Sequence, residues 1–172
     1  MRTRINVIVL LIGLLTPVLT GTLGTPSAGA GEGGGARHRT SFVSRGPAPT
    51  PGASFCDAEQ HCLFQGTRTA TYEGDWVGTG IAAGGVSVSE GARFAGAPLW
   101  LFAGTIKGCG SGTLVYAVVE TGDLAAMSGE GTWQIIKGFG TGDLADVSGH
   151  GTGAGSVSEG ARYKGVTRCA PK

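Results

Sequence analysis

Glu73 and Glu120 are the two side chains best placed to do chemistry. Each directly follows an apolar or β-branched stretch. A carboxyl carried into an apolar cavity acquires a raised pKa and can serve as an acid or base. A second pair, Glu130 and His150, occupies equivalent places in an internal repeat. In an antiparallel meander, equivalent positions fall at opposite ends of neighbouring strands. An eight-residue strand spans about 27 Å, whereas proton transfer needs contact at roughly 3 Å. The pair is therefore not expected to act together. Asp123 and Asp143 read as caps of single turns. Glu90 with Arg93, and Glu159 with Arg162, read as solvated hairpin charges. No serine lies in a Gly-x-Ser-x-Gly elbow, and the three histidines are scattered, so no nucleophile is indicated.

The cysteines are Cys56, Cys62, Cys109 and Cys169. Four cysteines allow three connectivities. Cys56–Cys62, closing a short loop, and Cys109–Cys169, tying the last strand to the middle of the domain, are the expected bridges. A zinc site from Cys56, His61 and Cys62 lacks a fourth ligand and fits no zinc spacing, so no metal is expected. The glycine-rich loops do not run from a strand into a helix and carry no Gly-Lys-Ser/Thr. The residues thus indicate no cofactor.

The N-terminus bears on the compartment. Arg2 and Arg4 precede an apolar run from Ile5 to Leu15, and Ala28-Gly29-Ala30 supplies a small-residue cleavage pattern. That order is a secretory signal peptide over 1–30. The apolar run is too short to span a bilayer and Pro17 interrupts it. A secreted, extracellular protein with no membrane insertion after cleavage is expected. The formal net charge of +1 for 172 residues gives no electrostatic surface for nucleic acid. Residues 31–54, rich in Gly and Pro, read as a flexible linker. Arg37-His38-Arg39 within it reads as solvated charge. Residues 55–172 then form one domain.

Strand signals dominate that domain: Thr67–Tyr72, Leu99–Ile106, Thr113–Val119 and Thr132–Ile136, with Gly, Asp and Ser as punctuation. Only Asp123–Met127 and Asp143–Val147 read as helical, one turn each. They belong to the repeat that runs from Gly122 to Thr132 and again from Gly142 to Thr152. A second repeat is identical in both copies, Ser87–Arg93 and Ser156–Arg162, and its Ser-Glu-Gly-Ala core fits a hairpin turn. Glycine pairs such as Gly78-x-Gly80, Gly129-x-Gly131 and Gly149-x-Gly151 are expected near strand ends, where a small barrel bends.

The stretch Gly129–Gly151 places Gly-Thr-Trp before Gly-Phe-Gly-Thr-Gly-Asp-Leu and a following Gly-His-Gly. It resembles an uncharacterised bacterial family related to the allene oxide cyclase and dirigent barrels, most clearly from Gly104 onward. The resemblance implies an all-β fold: a small antiparallel, calycin-like barrel of about eight strands.

Alternation along the strands sorts the faces. Trp100, Phe102 and Ile106 share one face, Leu114, Tyr116 and Val118 another, and Trp133 and Ile135 a third. If these faces line the barrel, Trp100, Phe102, Tyr116 and Trp133 form an aromatic interior. Such an interior either fills itself, the commoner outcome, or binds one small apolar ligand. The expected function is a secreted, disulfide-stabilised, non-enzymatic barrel binding a small ligand or an envelope component. The resemblance implies an alternative: a cyclase, isomerase or dirigent-like enzyme that holds a small apolar substrate in shape. A third reading, from the linker alone, is a structural or surface interaction protein.

Overall fold

The computed structural model describes residues 35–59 and 61–170. The signal peptide expected over 1–30 lies outside them. Ten strands follow in order: β1 (Arg37–Arg45), β2 (Thr50–Cys56), β3 (Cys62–Gly74), β4 (Trp76–Ser89), β5 (Arg93–Gly96), β6 (Leu99–Ile106), β7 (Gly110–Asp123), β8 (Ser128–Ile136), β9 (Ser148–Ser156) and β10 (Gly160–Arg168). Every pairing is antiparallel. The ring runs β1–β10–β9–β8–β7, then through β5 and β6 to β4, then β3, and back to β1. β5 and β6 lie between the same two strands, β4 and β7, and make one interrupted stave. The result is a closed eight-stranded antiparallel barrel, as the resemblance implies. β2 is added to the outer end of β3.

The linker expected over 31–54 is corrected from Arg37 on, and its first residues, 31–34, lie outside the described residues. Arg37–Arg45 is a stave of the barrel, paired with β10 from Arg37↔Arg168 to Ser44↔Ala161. Only Gly46–Pro49 lies between it and β2. The inward positions of β1 are His38, Thr40, Phe42 and Ser44, with a single large apolar residue among them. That pattern carries no strand signal by itself. β1 is recruited because β3 and β10 would otherwise be open edges, and its ladder closes both. Arg37 and Arg39 face solvent, whereas His38 is half-buried against Gly108.

The repeats fold as turns. Ser89–Arg93 joins β4 to β5 through a single 3₁₀ turn, and its twin joins β9 to β10. Gly91 in the first has φ 71° and Gly160 in the second φ 81°, a left-handed backbone that glycine adopts without strain. Asp123 caps its own turn, its Oδ1 accepting from the Ala125 and Ala126 N–H groups at 2.7 and 3.1 Å. Asp143 instead reaches across to β7, where its Oδ2 accepts the Ser111 N–H at 3.1 Å.

The two disulfides are Cys56–Cys62 and Cys109–Cys169, as expected. The first closes the β2–β3 hairpin. The second joins the β6–β7 turn to the end of β10 at the opposite, closed end of the barrel. There the second Gly-Asp-Leu-Ala turn inserts Leu144 and Val147, both fully buried.

Above that plug the barrel is packed with rings. Phe42 stacks on Trp76 at 4.3 Å and on Tyr163 at 4.8 Å, both at 15°. Trp133 meets Phe42 and Trp76 edge-on at 5.8 and 5.6 Å. Tyr72 meets Phe102 edge-on at 5.1 Å. Offset stacks and edge contacts of this kind add to the burial of apolar area.

The glycine pairs are not confined to strand ends. Gly78 and Gly80 lie within β4, Gly129 and Gly131 within β8, and Gly149, Gly151, Gly153 and Gly155 occupy alternate positions of β9. The reason is close approach. A Cβ on Gly151 would meet Trp133 Nε1 at 2.6 Å, and one on Gly153 would meet the Tyr163 ring at 2.5 Å. β9 surrenders its side chains so that rings from β8 and β10 can lie flat across its inner face.

A candidate ligand-binding cup

The packing stops partway along the barrel. Toward the Cys56–Cys62 end the inward positions become Ala70, Ala82, Ala161, Gly131 and Gly155, too small to meet across the lumen. A cavity of about 410 Å³ opens there, within the size range of small-molecule sites. Its floor includes Trp100, Val118 and Tyr163, and its upper wall Val86, Phe94, Leu124 and Met127. The β1–β2 crossover, Gly46–Pro49, forms part of one side.

Two charged side chains face each other in this apolar cup. Arg68 is on β3. Its register partner on β4 is Ala82, whose partner on β6 is Trp100. Because Ala82 is small, the Arg68 guanidinium can pass over it and lie 5.7 Å from the Trp100 ring centroid. Across the lumen Glu120 of β7 approaches Arg68, Oε1 to Nη1 at 3.9 Å. The arginine is partly exposed, so the pair adds under about 1 kcal/mol to stability. Burial pushes the Glu120 carboxyl above its ordinary range, and Arg68 opposes this only in part.

The floor and the packed layer beneath it are uncharged. Tyr72 Oη and Tyr116 Oη share a hydrogen bond at 2.6 Å. Burial holds both phenols well above their usual pKa. Tyr163 is pushed up to about 12, by burial first and by Glu120 second. All three stay neutral at physiological pH.

Of the residues singled out in the sequence, Trp100, Glu120, Asp123 and Glu130 line the cup. Phe102, Tyr116 and Trp133 lie in the packed half below, each 2 % exposed or less. The rings therefore divide between filling and lining. Glu73 is on the outer surface, 3.6 Å from the exposed Arg45. Glu130 pairs in register with Ala154, four residues from His150, and both side chains are exposed. That separation is about 13 Å along the strand. His61 hydrogen-bonds Asp57 within the Cys56–Cys62 loop, at 3.0 Å. Among the described residues no three His, Cys, Asp or Glu side chains converge as metal ligands.

Sequence reasoning missed Arg68, Tyr163, Leu124 and Met127. Arg68 had a signal. It shares a strand face with Ala70 and Tyr72, so a phase that turns Tyr72 inward turns the arginine inward too. Leu124 and Met127 had another. They are the repeat counterparts of Leu144 and Val147. One copy of the turn buries its apolar pair as the plug of the closed end. The other stands at the open end with Leu124 42 % and Met127 48 % exposed.

Among the described residues no helix is long and apolar enough to cross a membrane. No family model matches the chain, and no curated protein matches it. A solved structure does: a protein of unknown function from the DUF3224 family of Shewanella oneidensis MR-1. It has 13 % identity and a TM-score of 0.60, and the match covers 81 % of this chain and all of that one. At that identity the likeness is one of fold, and it places this chain beside a DUF3224-family barrel in architecture.

Proposed function

We propose that the protein is a secreted binding barrel that takes one small, largely apolar molecule into the cup at its open end. The observation that carries this is the division of the lumen. A barrel that serves only as a scaffold gains stability by filling itself throughout. This one packs its closed half with rings and leaves an apolar, half-enclosed cavity in the other. The two disulfides support an oxidising, extracellular setting.

The test is uptake of a neutral environment-sensitive dye, phenylnaphthylamine, by the purified protein. The dye is expected to bind, and Ala161→Phe is expected to weaken it by about tenfold or more, a loss near 1.4 kcal/mol. Ala161 is half-buried and faces the cup between Ser44 and Gly155, so the new ring fills space rather than displacing backbone. Thermal unfolding of the variant should stay within a few degrees of the wild type. Dye binding unchanged by Ala161→Phe would show that the cup is not the site.

A second reading is favoured by Glu120. A cyclase, isomerase or dirigent-like enzyme, as in the barrels that the sequence resembles, needs a proton donor beside a shaped cavity. Glu120 is the acidic side chain with a raised carboxyl pKa in this cup. Glu73, exposed on the outer wall, has no such position. For any molecule the wild type transforms, Glu120→Gln should bind it and slow its turnover by about a hundredfold or more. Turnover at the wild-type rate would end this reading.

A further inference from the structure

We infer that the ligand of the cup is an anionic amphiphile, whose acidic group docks on Arg68 beside Glu120 while its apolar body lies against Phe94, Leu124 and Met127. This rests on the reading of the cup as a binding site and names the class of molecule it takes.

Three observations converge. First, among the described residues lining the cavity Arg68 is the one basic side chain, and the Trp100 ring holds it over the lumen. A guanidinium presents several donors in a fixed fork. One carboxylate at 3.9 Å leaves it able to take a second acceptor. Second, the polar pair lies below the rim. Glu120 precedes Leu124 by four residues on the rising end of β7, so a molecule entering from solvent passes Leu124 and Met127, with Asp123 and Glu130 beside them, before it reaches Arg68. Third, the rim is apolar for a reason the fold does not supply. In the plug copy of the repeat, the leucine and valine stabilise the fold by burial. In the rim copy, Leu124 and Met127 are held in place by backbone bonds: Leu124 N–H to Ala92 O at 2.8 Å, and Val157 N–H to Met127 O at 3.1 Å. The side chains remain 42 % and 48 % exposed, a hydrophobic surface facing the mouth of the cavity. An amphiphile matches both ends of this arrangement.

The placement has a proton consequence. A ligand anion on Arg68 comes close to Glu120 and favours its neutral form. The carboxyl, already raised by burial, is raised further in the complex, and protonated Glu120 can donate to the bound anion. Binding therefore takes up a proton. The affinity gain is complete below the free-protein pKa of Glu120 and is lost as pH rises through the higher pKa of the complex. The other ionisable groups around Glu120 are Arg68 on β3, Tyr163 on β10, Asp123 further along β7 and Glu130 on β8. Tyr163, pushed up to about 12 by burial, stays neutral through the acid and neutral range. Asp123 is already bonded to the Ala125 and Ala126 N–H groups.

The experiment compares two probes with nearly the same body, anilinonaphthalene sulfonate and neutral phenylnaphthylamine. Only the fluorescence abolished by Ala161→Phe is counted, which removes binding to outer apolar surface. The sulfonate stays ionised throughout, so any pH dependence belongs to the protein. At about pH 5 the sulfonate should bind about tenfold more tightly than the neutral probe, the scale of one charge-assisted hydrogen bond. That advantage should shrink toward about pH 8. Arg68→Leu should abolish it, Arg68→Lys should keep part of it, and Glu120→Gln should keep it without the pH dependence. A neutral probe that binds, with a sulfonate no tighter, overturns the anionic class and leaves the cup reading standing. A sulfonate advantage that survives Arg68→Leu also overturns it. Failure of both probes to give an Ala161-sensitive signal overturns the two readings together.

Discussion

Trp133→Ala lowers the free energy of unfolding by about 3–5 kcal/mol, at the upper end for a truncated core aromatic. The upper end is expected because the site cannot collapse. A large-to-small change costs the lost transfer energy plus a term for the cavity that neighbouring side chains fail to fill. Around Trp133 those neighbours are unusually bare. Gly149, Gly151 and Gly165 all lie against the ring, at 3.3, 2.6 and 2.6 Å from where a Cβ would stand. They have no side chains to swing inward, and the ladders of β8, β9 and β10 hold their backbones in place. Trp133 also donates from Nε1 to Lys164 O at 3.3 Å. Trp133→Phe, which keeps part of the ring volume, should cost about half as much. Chemical denaturation of the three proteins checks this, with equal slopes confirming that the same surface is exposed. A Trp133→Ala loss under about 1 kcal/mol would mean that the packed half is not as tight as drawn. Because Trp133 is not part of the cavity lining, dye uptake by the folded variant should survive. Trp100→Ala is its counterpart in the cup. There the main expected loss is dye affinity, since the ring supports Arg68 and forms the floor.

Removing the Cys109–Cys169 bridge, as Cys109→Ala with Cys169→Ala, should cost about 4 kcal/mol, and removing Cys56–Cys62 about 2 kcal/mol, by the loop-entropy relation. The difference comes from the chain enclosed. The partners are 60 residues apart in the first and 6 in the second. Position adds to it. Cys109 and Cys169 are buried at the closed end, where the bridge ties the β6–β7 turn to the end of β10 and encloses β7, β8, β9 and β10. Cys56 and Cys62 join adjacent strands at an outlying hairpin that the β2–β3 ladder already holds in register. Losing that bridge frays the rim of the cup rather than its base. Thermal melts of the two double variants separate these effects. Equal losses would refute the loop-length account. A larger loss from the short bridge would mean that the hairpin, not the plug, limits unfolding.

Much of the architecture was legible in the residues. The repeated Ser-Glu-Gly-Ala segments have a glycine where a hairpin needs positive φ, and both became hairpins. The alternation in Leu99–Ile106 put Trp100, Phe102 and Ile106 on one face, and in β6 that face is the buried one. Of the three connectivities open to four cysteines, the expected one is the one that forms. β1 was not legible. Its inward residues are too polar and small to show a period, and only the need of β3 and β10 for a partner selects it. β9, with glycine at alternate positions, was equally silent. Its reason for being lies in the rings of β8 and β10.

The cup divides in the same way. The residues alone told which side chains share a strand face, Trp100 with Phe102, Tyr116 with Val118 and Trp133 with Ile135, and that carboxylates such as Glu120 sit beside apolar strands, because side-chain direction along a strand has a fixed period of two. Which rings fill and which line follows only from the closed barrel. That choice depends on what stands opposite across the lumen: large rings at the levels of Trp76 and Trp133, alanines and glycines at the levels of Ala82, Ala161 and Gly155. The pairing of Arg68 with Glu120 belongs to the same class. The two residues are 52 positions apart by their numbers, and barrel closure brings them face to face. The opposite fates of one repeated turn, buried as Leu144 and Val147 and exposed as Leu124 and Met127, show the same division. Local sequence sets the shape of the turn. The end of the barrel at which it falls sets whether its apolar side chains have anything to cover.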